Sequence, residues 1–179
     1  NVQNELVNIV IDVEEQPTGS IGAGLGVGSS GASLSTNFNE KNLFGKGINL
    51  NSNFSLGTEK ISGVVSTDIP DFNNNDYTRK FSAFAISTDY ENSGYESTKA
   101  GFSTSSKFEI YKDYFLTYGL GLDRDDISVG NNASDLYKSR EGNYMTYKGY
   151  YSLINNKLDN NINPTKGYKL SFGQGMAVP

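Results

Sequence analysis

The chain has 179 residues but no cysteine, no histidine, no tryptophan and only four prolines. Without Cys and His there are no disulfides, no thiolate nucleophile, no zinc site on His or Cys ligands and no serine–histidine catalysis. No run approaches the roughly 18 apolar residues that a transmembrane helix requires. That excludes a helical membrane protein but not a β-barrel, whose strands carry a weaker signal. Apolar residues make up 36% of the chain and mean hydropathy is −0.49, low for a soluble core of this length. A net charge of −5 and a pI of about 4.7 argue against a nucleic-acid partner. Ser, Tyr and carboxylates are present, but no base-oriented nucleophile can be argued. No enzyme, catalytic residue, metal or cofactor is therefore expected.

What the chain does have is alternation. In Gly47-Ile-Asn-Leu-Asn-Ser-Asn-Phe-Ser-Leu56, Ile48, Leu50, Phe54 and Leu56 face one way, and Asn49, Asn51, Asn53 and Ser55 the other. Period 2 means a strand with one apolar and one polar face. The 12 Tyr and 10 Phe, placed in step with this pattern, argue against disorder. Which face meets water separates a soluble sandwich from a membrane barrel.

About nine strands are predicted after Pro17, near 19–28, 32–39, 48–56, 61–69, 81–89, 98–108, 114–123, 144–154 and 168–176. No segment shows a helical stripe. An earlier strand at Leu6–Val13 closes at Glu14-Glu15-Gln16-Pro17. Residues 1–16 read as the end of a preceding soluble domain, 17–179 as the strand array, and the whole as a piece of a longer protein.

Charges set the geometry. Asp68, Lys99, Lys107, Lys148 and Lys169 all fall in step with Ser, Thr or Gly and opposite the apolar positions. A Lys or Arg facing lipid at mid-bilayer costs about 2–4 kcal/mol, and that penalty predicts this segregation. Strand five is ambiguous, because Phe81, Ala83 and Ala85 compete with Phe84 and Ile86. The longest connection is expected from Arg124 to Asn143, on the outer side if the preceding domain is periplasmic. Tyr77, Tyr90, Tyr95, Tyr111, Tyr114, Tyr144 and Tyr168 fall near strand ends, as interfacial girdles would.

Several motifs invite functional readings. Gly26-Val-Gly28-Ser-Ser-Gly31 matches G-x-G-x-x-G, but a strand pattern follows it where a dinucleotide site needs a helix, so a hairpin turn is expected. Asp123-Arg-Asp-Asp126, with Asp135 and Glu141, fits no EF-hand spacing and reads as a solvated loop. Asn53-Phe-Ser55 and Asn132-Ala-Ser134 are glycosylation-type triplets, the first inside a strand. Asn163-Pro-Thr-Lys-Gly167 is a strong turn. In strand one, Gly22, Gly24, Gly26 and Gly28 alternate with Ile21, Ala23, Leu25 and Val27. Such a strand packs little and loses more entropy on ordering. It is either a curved barrel strand with small inward residues or a deliberately weak sheet edge, whose free N–H and C=O groups could receive another strand.

Taken in order, these segments resemble the POTRA-barrel insertases, the BamA family of outer-membrane β-barrel assembly factors. Val7–Glu15 resembles the last strand of a final POTRA domain. Pro17-Thr18-Gly19-Ser20 resembles the lead-in to a first barrel strand. Asn39-Glu-Lys-Asn-Leu-Phe-Gly-Lys-Gly47 resembles the family's turn between strands two and three. Asp68-Ile-Pro-Asp-Phe72 sits at the family's Pro-aromatic end of strand four, with Asp71 where an aromatic is usual. Leu158-Asp-Asn-Asn-Ile-Asn-Pro-Thr-Lys-Gly167 resembles its D-x-x-x-x-P-T-x-G turn before strand nine.

The resemblance implies an all-β fold: the N-terminal part of an antiparallel up-and-down transmembrane β-barrel, with about nine strands of a family total of sixteen. It implies assembly and insertion of β-barrel proteins in the bacterial outer membrane. The first strand, Gly19, Ser20, Ile21, Gly22, Ala23, Gly24, Leu25, Gly26, Val27 and Gly28, would be the pairing edge and lateral gate for client strands. Asn163, Pro164, Thr165, Lys166 and Gly167 would be the family turn. Implied partners are outer-membrane lipids, unfolded outer-membrane β-barrel clients and accessory lipoproteins. An autotransporter-assembly or two-partner secretion transporter, a porin-like barrel and a soluble β-rich adhesin are the competing readings.

Overall fold

The computed structural model describes residues 12–28, 31–74 and 76–179. The expected strand at Leu6–Val13 lies almost wholly outside the described residues, so the predicted domain end at 1–16 is not seen. Nine strands form one antiparallel sheet in chain order. They are β1 (Gly19–Gly28), β2 (Gly31–Leu43), β3 (Ile48–Gly57), β4 (Lys60–Ile69), β5 (Tyr77–Tyr90), β6 (Tyr95–Tyr111), β7 (Tyr114–Val129), β8 (Gly142–Asn156) and β9 (Lys169–Val178). A single turn of helix, α1 (Asp135–Lys138), lies between β7 and β8. Every strand pairs with its chain neighbours, and β1 and β9 are the two outer strands.

The register carries one face across the sheet. Ile21 lies beside Phe38, then Ser52, Val65, Ala83, Phe102, Leu122, Tyr147 and Val178. Asn37, Asn53, Val64, Phe84, Gly101, Asp123 and Thr146 form a row of the opposite, mostly polar face. Strand five is thereby settled. Phe81, Ala83 and Ala85 belong to the apolar face, while Phe84 and Ile86 belong to the polar one. Phe84 is at home there because Gly101 makes room: a Cβ on Gly101 would lie 2.6 Å from the Phe84 ring.

Burial is inverted relative to a soluble protein. Among the described residues the one buried hydrophobic side chain is Ala133, whereas Ser52, Ser105, Ser106, Asp123 and Asn155 are buried. Leu25 is 87% exposed, Val27 91% and Phe172 63%. No second layer covers the apolar face among the described residues. A β-sandwich needs that layer, so the soluble adhesin reading fails on this ground, and a lipid-facing surface answers the pattern.

Three expectations change. Strand seven does not end at Asp123 but runs to Val129, so Asp123, Arg124, Asp125 and Asp126 are strand residues and not a solvated loop. Alternation persists through this charged stretch, with Asp123 and Asp125 on the polar face, and pairing with β6 and β8 holds it extended. The β7–β8 connection shrinks to residues 130–141, equal in length to residues 157–168 on the other rim, so loop length does not distinguish the rims. The tyrosines also divide. Tyr77, Tyr111 and Tyr114 lie on the apolar face at one rim, as a girdle would. At the other rim Tyr90 and Tyr95 turn to the polar face, where they stack at 4.5 Å and Tyr95 stacks on Tyr137 of α1 at 4.8 Å. Tyr144 joins them on that face and donates to the Arg140 carbonyl.

Candidate pairing edge and the elements that frame it

β1 matches its predicted bounds, and the structure tells which of its backbone groups are free. The Val27–Ala32 pair lies next to the hairpin. Ala32 spends both its backbone groups on Thr58: its N–H donates to Thr58 Oγ1 at 3.2 Å and its carbonyl accepts from the Thr58 N–H at 3.1 Å. The Val27–Ala32 pair is therefore the non-hydrogen-bonded kind. At the other end the Thr18 carbonyl accepts from the Lys41 N–H at 3.2 Å, which puts even-numbered residues in the bonded positions. Antiparallel pairing alternates residue by residue. Ser20, Gly22, Gly24 and Gly26 thus spend their amides on β2. Gly19, Ile21, Ala23, Leu25 and Val27 turn N–H and C=O toward the outer edge, and the side chains of Ile21, Ala23, Leu25 and Val27 lie on the apolar face.

The glycines serve the polar face. A Cβ at Gly22 would lie 2.6 Å from Asn37 Oδ1, and one at Gly26 2.9 Å from Ser33 Oγ. The side chains of β2 lean into the space that β1 leaves, and Ser35 Oγ reaches the Gly24 carbonyl at 3.4 Å. Gly28 pairs with Gly31 and a strand follows where a dinucleotide site needs a helix; residues 29 and 30, the centre of the expected turn, lie outside the described residues.

The turn residues Asn163 to Gly167 lie in the β8–β9 connection, at the opposite end of the strand order from β1. The two sequence-predicted sites are not brought together. The turn's centre is Asp159, whose carboxylate accepts from the Thr165 N–H at 3.0 Å, the Thr165 hydroxyl at 2.5 Å and the Lys166 N–H at 3.0 Å. These bonds to the ionised form, the Thr165 hydroxyl foremost, hold its pKa down to about 2. Gly167 has φ +95° and a Cβ there would collide with the Lys157 carbonyl, so this position requires glycine. The β2–β3 turn is built on the same idea. Asn42 accepts from Gly47 N–H at 2.6 Å through its side chain, with Gly45 and Gly47 at positive φ.

Sequence reasoning missed a charge cluster on the polar face. Asp123 is 4% exposed and accepts from Lys148, while Lys99 stands 3.7 Å away on the other side. Asp125, next on that face, accepts from Ser97 at 2.9 Å. The common face of Lys99 and Lys148 was legible. Their meeting on Asp123 is set by the register of β6, β7 and β8, which pattern alone does not give. Nearby, Tyr150 covers Gly119, where a Cβ would touch its ring at 2.5 Å.

Comparison with known proteins fits this geometry. The Omp85 superfamily domain matches residues 42–179. The outer membrane protein assembly factor BamA of Neorickettsia risticii is 29% identical over 95% of the chain, and that of Buchnera aphidicola 29% over 81%. The chain spans about a quarter of the length of these relatives, 24% of each. The crystal structure of BamA from Haemophilus ducreyi lacking POTRA domains 1-3 superposes with a TM-score of 0.66 at 21% identity, over 93% of this chain and 35% of that one. At that identity the likeness speaks for the fold, an all-β array of antiparallel up-and-down strands. An uncovered apolar face, a polar face that carries most of the strand charges, and a match over most of the chain agree: this is an outer-membrane β-barrel segment, and the chain belongs to the Omp85 superfamily.

Proposed function

We propose that this chain works in the assembly and insertion of β-barrel proteins into the outer membrane, and that β1 is the edge on which a client strand pairs. The observation that carries the reading is the outward aim of the backbone groups of Ile21, Ala23, Leu25 and Val27. In lipid each unmet backbone group costs several kcal/mol, so a strand edge there demands a partner. Backbone bonds do not read side chains, so one such edge accepts many client sequences. The glycine row keeps β1 lightly tied on its polar face and inexpensive to displace. Unfolded β-barrel clients, accessory lipoproteins and outer-membrane lipids are the partners this role requires. Residues 1–16 are assigned to the end of a POTRA domain on the periplasmic side. That places the rim of residues 44–47, 70–76, 112–113 and 157–168 at the periplasm.

Disulfide trapping in the full-length protein tests this, with one Cys at Gly24 and one in the last strand of a stalled client. Toward an incoming antiparallel strand Gly24 occupies the non-hydrogen-bonded position, where Cα atoms approach to about 4.5 Å and a disulfide fits. A specific crosslink is expected. Its absence while clients assemble normally would move the assignment to a transporter or porin-like barrel.

A further inference from the structure

On the paired strand positions of the apolar face two cations stand out, Arg79 and Arg124. They are treated differently. Arg124 is neutralised by Asp126 two residues on, with Nε 2.9 Å from the carboxylate. Arg79 has no carboxylate within salt-bridge reach among the described residues. Asp68 on the neighbouring strand belongs to the other face and lies 3.8 Å from Lys80. Arg79 instead lies over the Phe72 ring, its guanidinium carbon 5.6 Å from the centroid, and Phe72 in turn contacts Tyr77 at 6.2 Å. It sits two residues inside β5, next to Tyr77, at the rim where Tyr111 and Tyr114 also lie on this face.

A second feature adjoins it. Directly across from Arg79 on β6 is Ser106, 1% exposed, with an Oγ that has no hydrogen-bond partner. A buried hydroxyl without a partner calls for an explanation. Arg79 offers a planar guanidinium on an apolar surface beside aromatic rings, next to a buried hydroxyl that its neighbours leave unpaired. That set matches the phosphate of a phospholipid whose acyl chains lie along the same face. Asp71 and Asp76, on the same connection, supply negative charge that suits a headgroup carrying its own ammonium.

We propose that Arg79, braced by Phe72 and adjoined by Ser106, holds the phosphate of a zwitterionic phospholipid, phosphatidylethanolamine, at the periplasmic rim. The site anchors the middle of the sheet at the membrane surface. It rests on the reading of the apolar face as lipid-facing and of this rim as periplasmic.

The test uses the full-length protein in nanodiscs and counts retained phosphatidylethanolamine by native mass spectrometry. R79Q should lower retention about three- to tenfold, the range of one charge-assisted contact at an interface. R79K should fall between, because a point charge lacks the fork and the stacking. Equal retention in R79Q overturns the site. So does competition by millimolar inorganic phosphate, which would mark a free-anion site, or a preference for phosphatidylglycerol. A fluorophore on Leu120→Cys, quenched by spin-labelled lipid in both variants, establishes that the face meets lipid and that the barrel has folded. Loss of that quenching would overturn the lipid-facing reading on which the site depends.

Discussion

β1 and the β6–β7 pair are strands of the same sheet held in different ways. β6 and β7 are tied twice, by a long backbone ladder and by side chains: Asp123 between Lys99 and Lys148, Ser97 on Asp125, and Phe84 and Tyr150 over Gly101 and Gly119. β1 is short, uncharged, and held by its backbone bonds to β2, with glycine on the face where β6 and β7 carry their ties. On the role proposed for β1, this difference separates the part of the sheet that persists from the edge that would exchange partners. In lipid the ladder cannot be forfeited, but side-chain ties can be added or withheld, and they set how readily a strand trades one partner for another.

The strongest way to break this contrast is to cut a tie in the centre. Asp123→Ala leaves Lys99 and Lys148 facing each other without a counter-charge. The expected loss is about 2–4 kcal/mol, because the carboxylate is buried while both lysines remain partly exposed. A urea titration of the full-length protein in lipid vesicles reads it, and an unchanged midpoint would mean the cluster is ornamental. Next comes Gly167→Ala, which meets the Lys157 carbonyl at φ +95° and should cost about 1–3 kcal/mol, read in the same titration. That turn also has a pH signature. The Asp159 pKa is depressed to about 2, so its contribution is complete above the ordinary carboxylate value near 4 and is lost as pH falls from there toward 2. Amide protection at Thr165 and Lys166 should fall across that window and not above it.

Tyr137→Ala removes the outer ring of the Tyr90–Tyr95–Tyr137 stack. It should release the 130–141 connection at a cost of about 0.5–1.5 kcal/mol, seen as faster proteolysis there with β6 and β7 intact. The smallest effect is expected at the edge. Gly24→Ala places a Cβ 3.1 Å from a movable Ser35 hydroxyl and should change stability by no more than about 0.5 kcal/mol. The comparison sharpens through proline. Ala23→Pro removes a donor from the outer edge and should impair client assembly while leaving the β1–β2 ladder whole. Gly24→Pro breaks that ladder instead, so an equal effect of the two on β1–β2 amide protection would contradict the register.

The polypeptide's own pattern decided the architecture. Period-2 alternation fixed the class and nine strand positions, with β1 matching residue for residue, because side chains on a strand must alternate and lipid penalises every charge on the wrong face. Glycine and asparagine marked the turns at Gly47 and Gly167 for the local reason that positive φ admits few residues. Other features depended on neighbours. Strand seven continues through Asp123–Asp126 because β6 and β8 hold it extended, which no local propensity shows. Phe84 faces the polar side because Gly101, seventeen residues away in the sequence, leaves room there. Which amides of β1 are free follows from where Ala32 spends its own, on Thr58. Alternation is written into the sequence because it is a property of one strand. Register is a property of two, and only the assembled sheet could assign it.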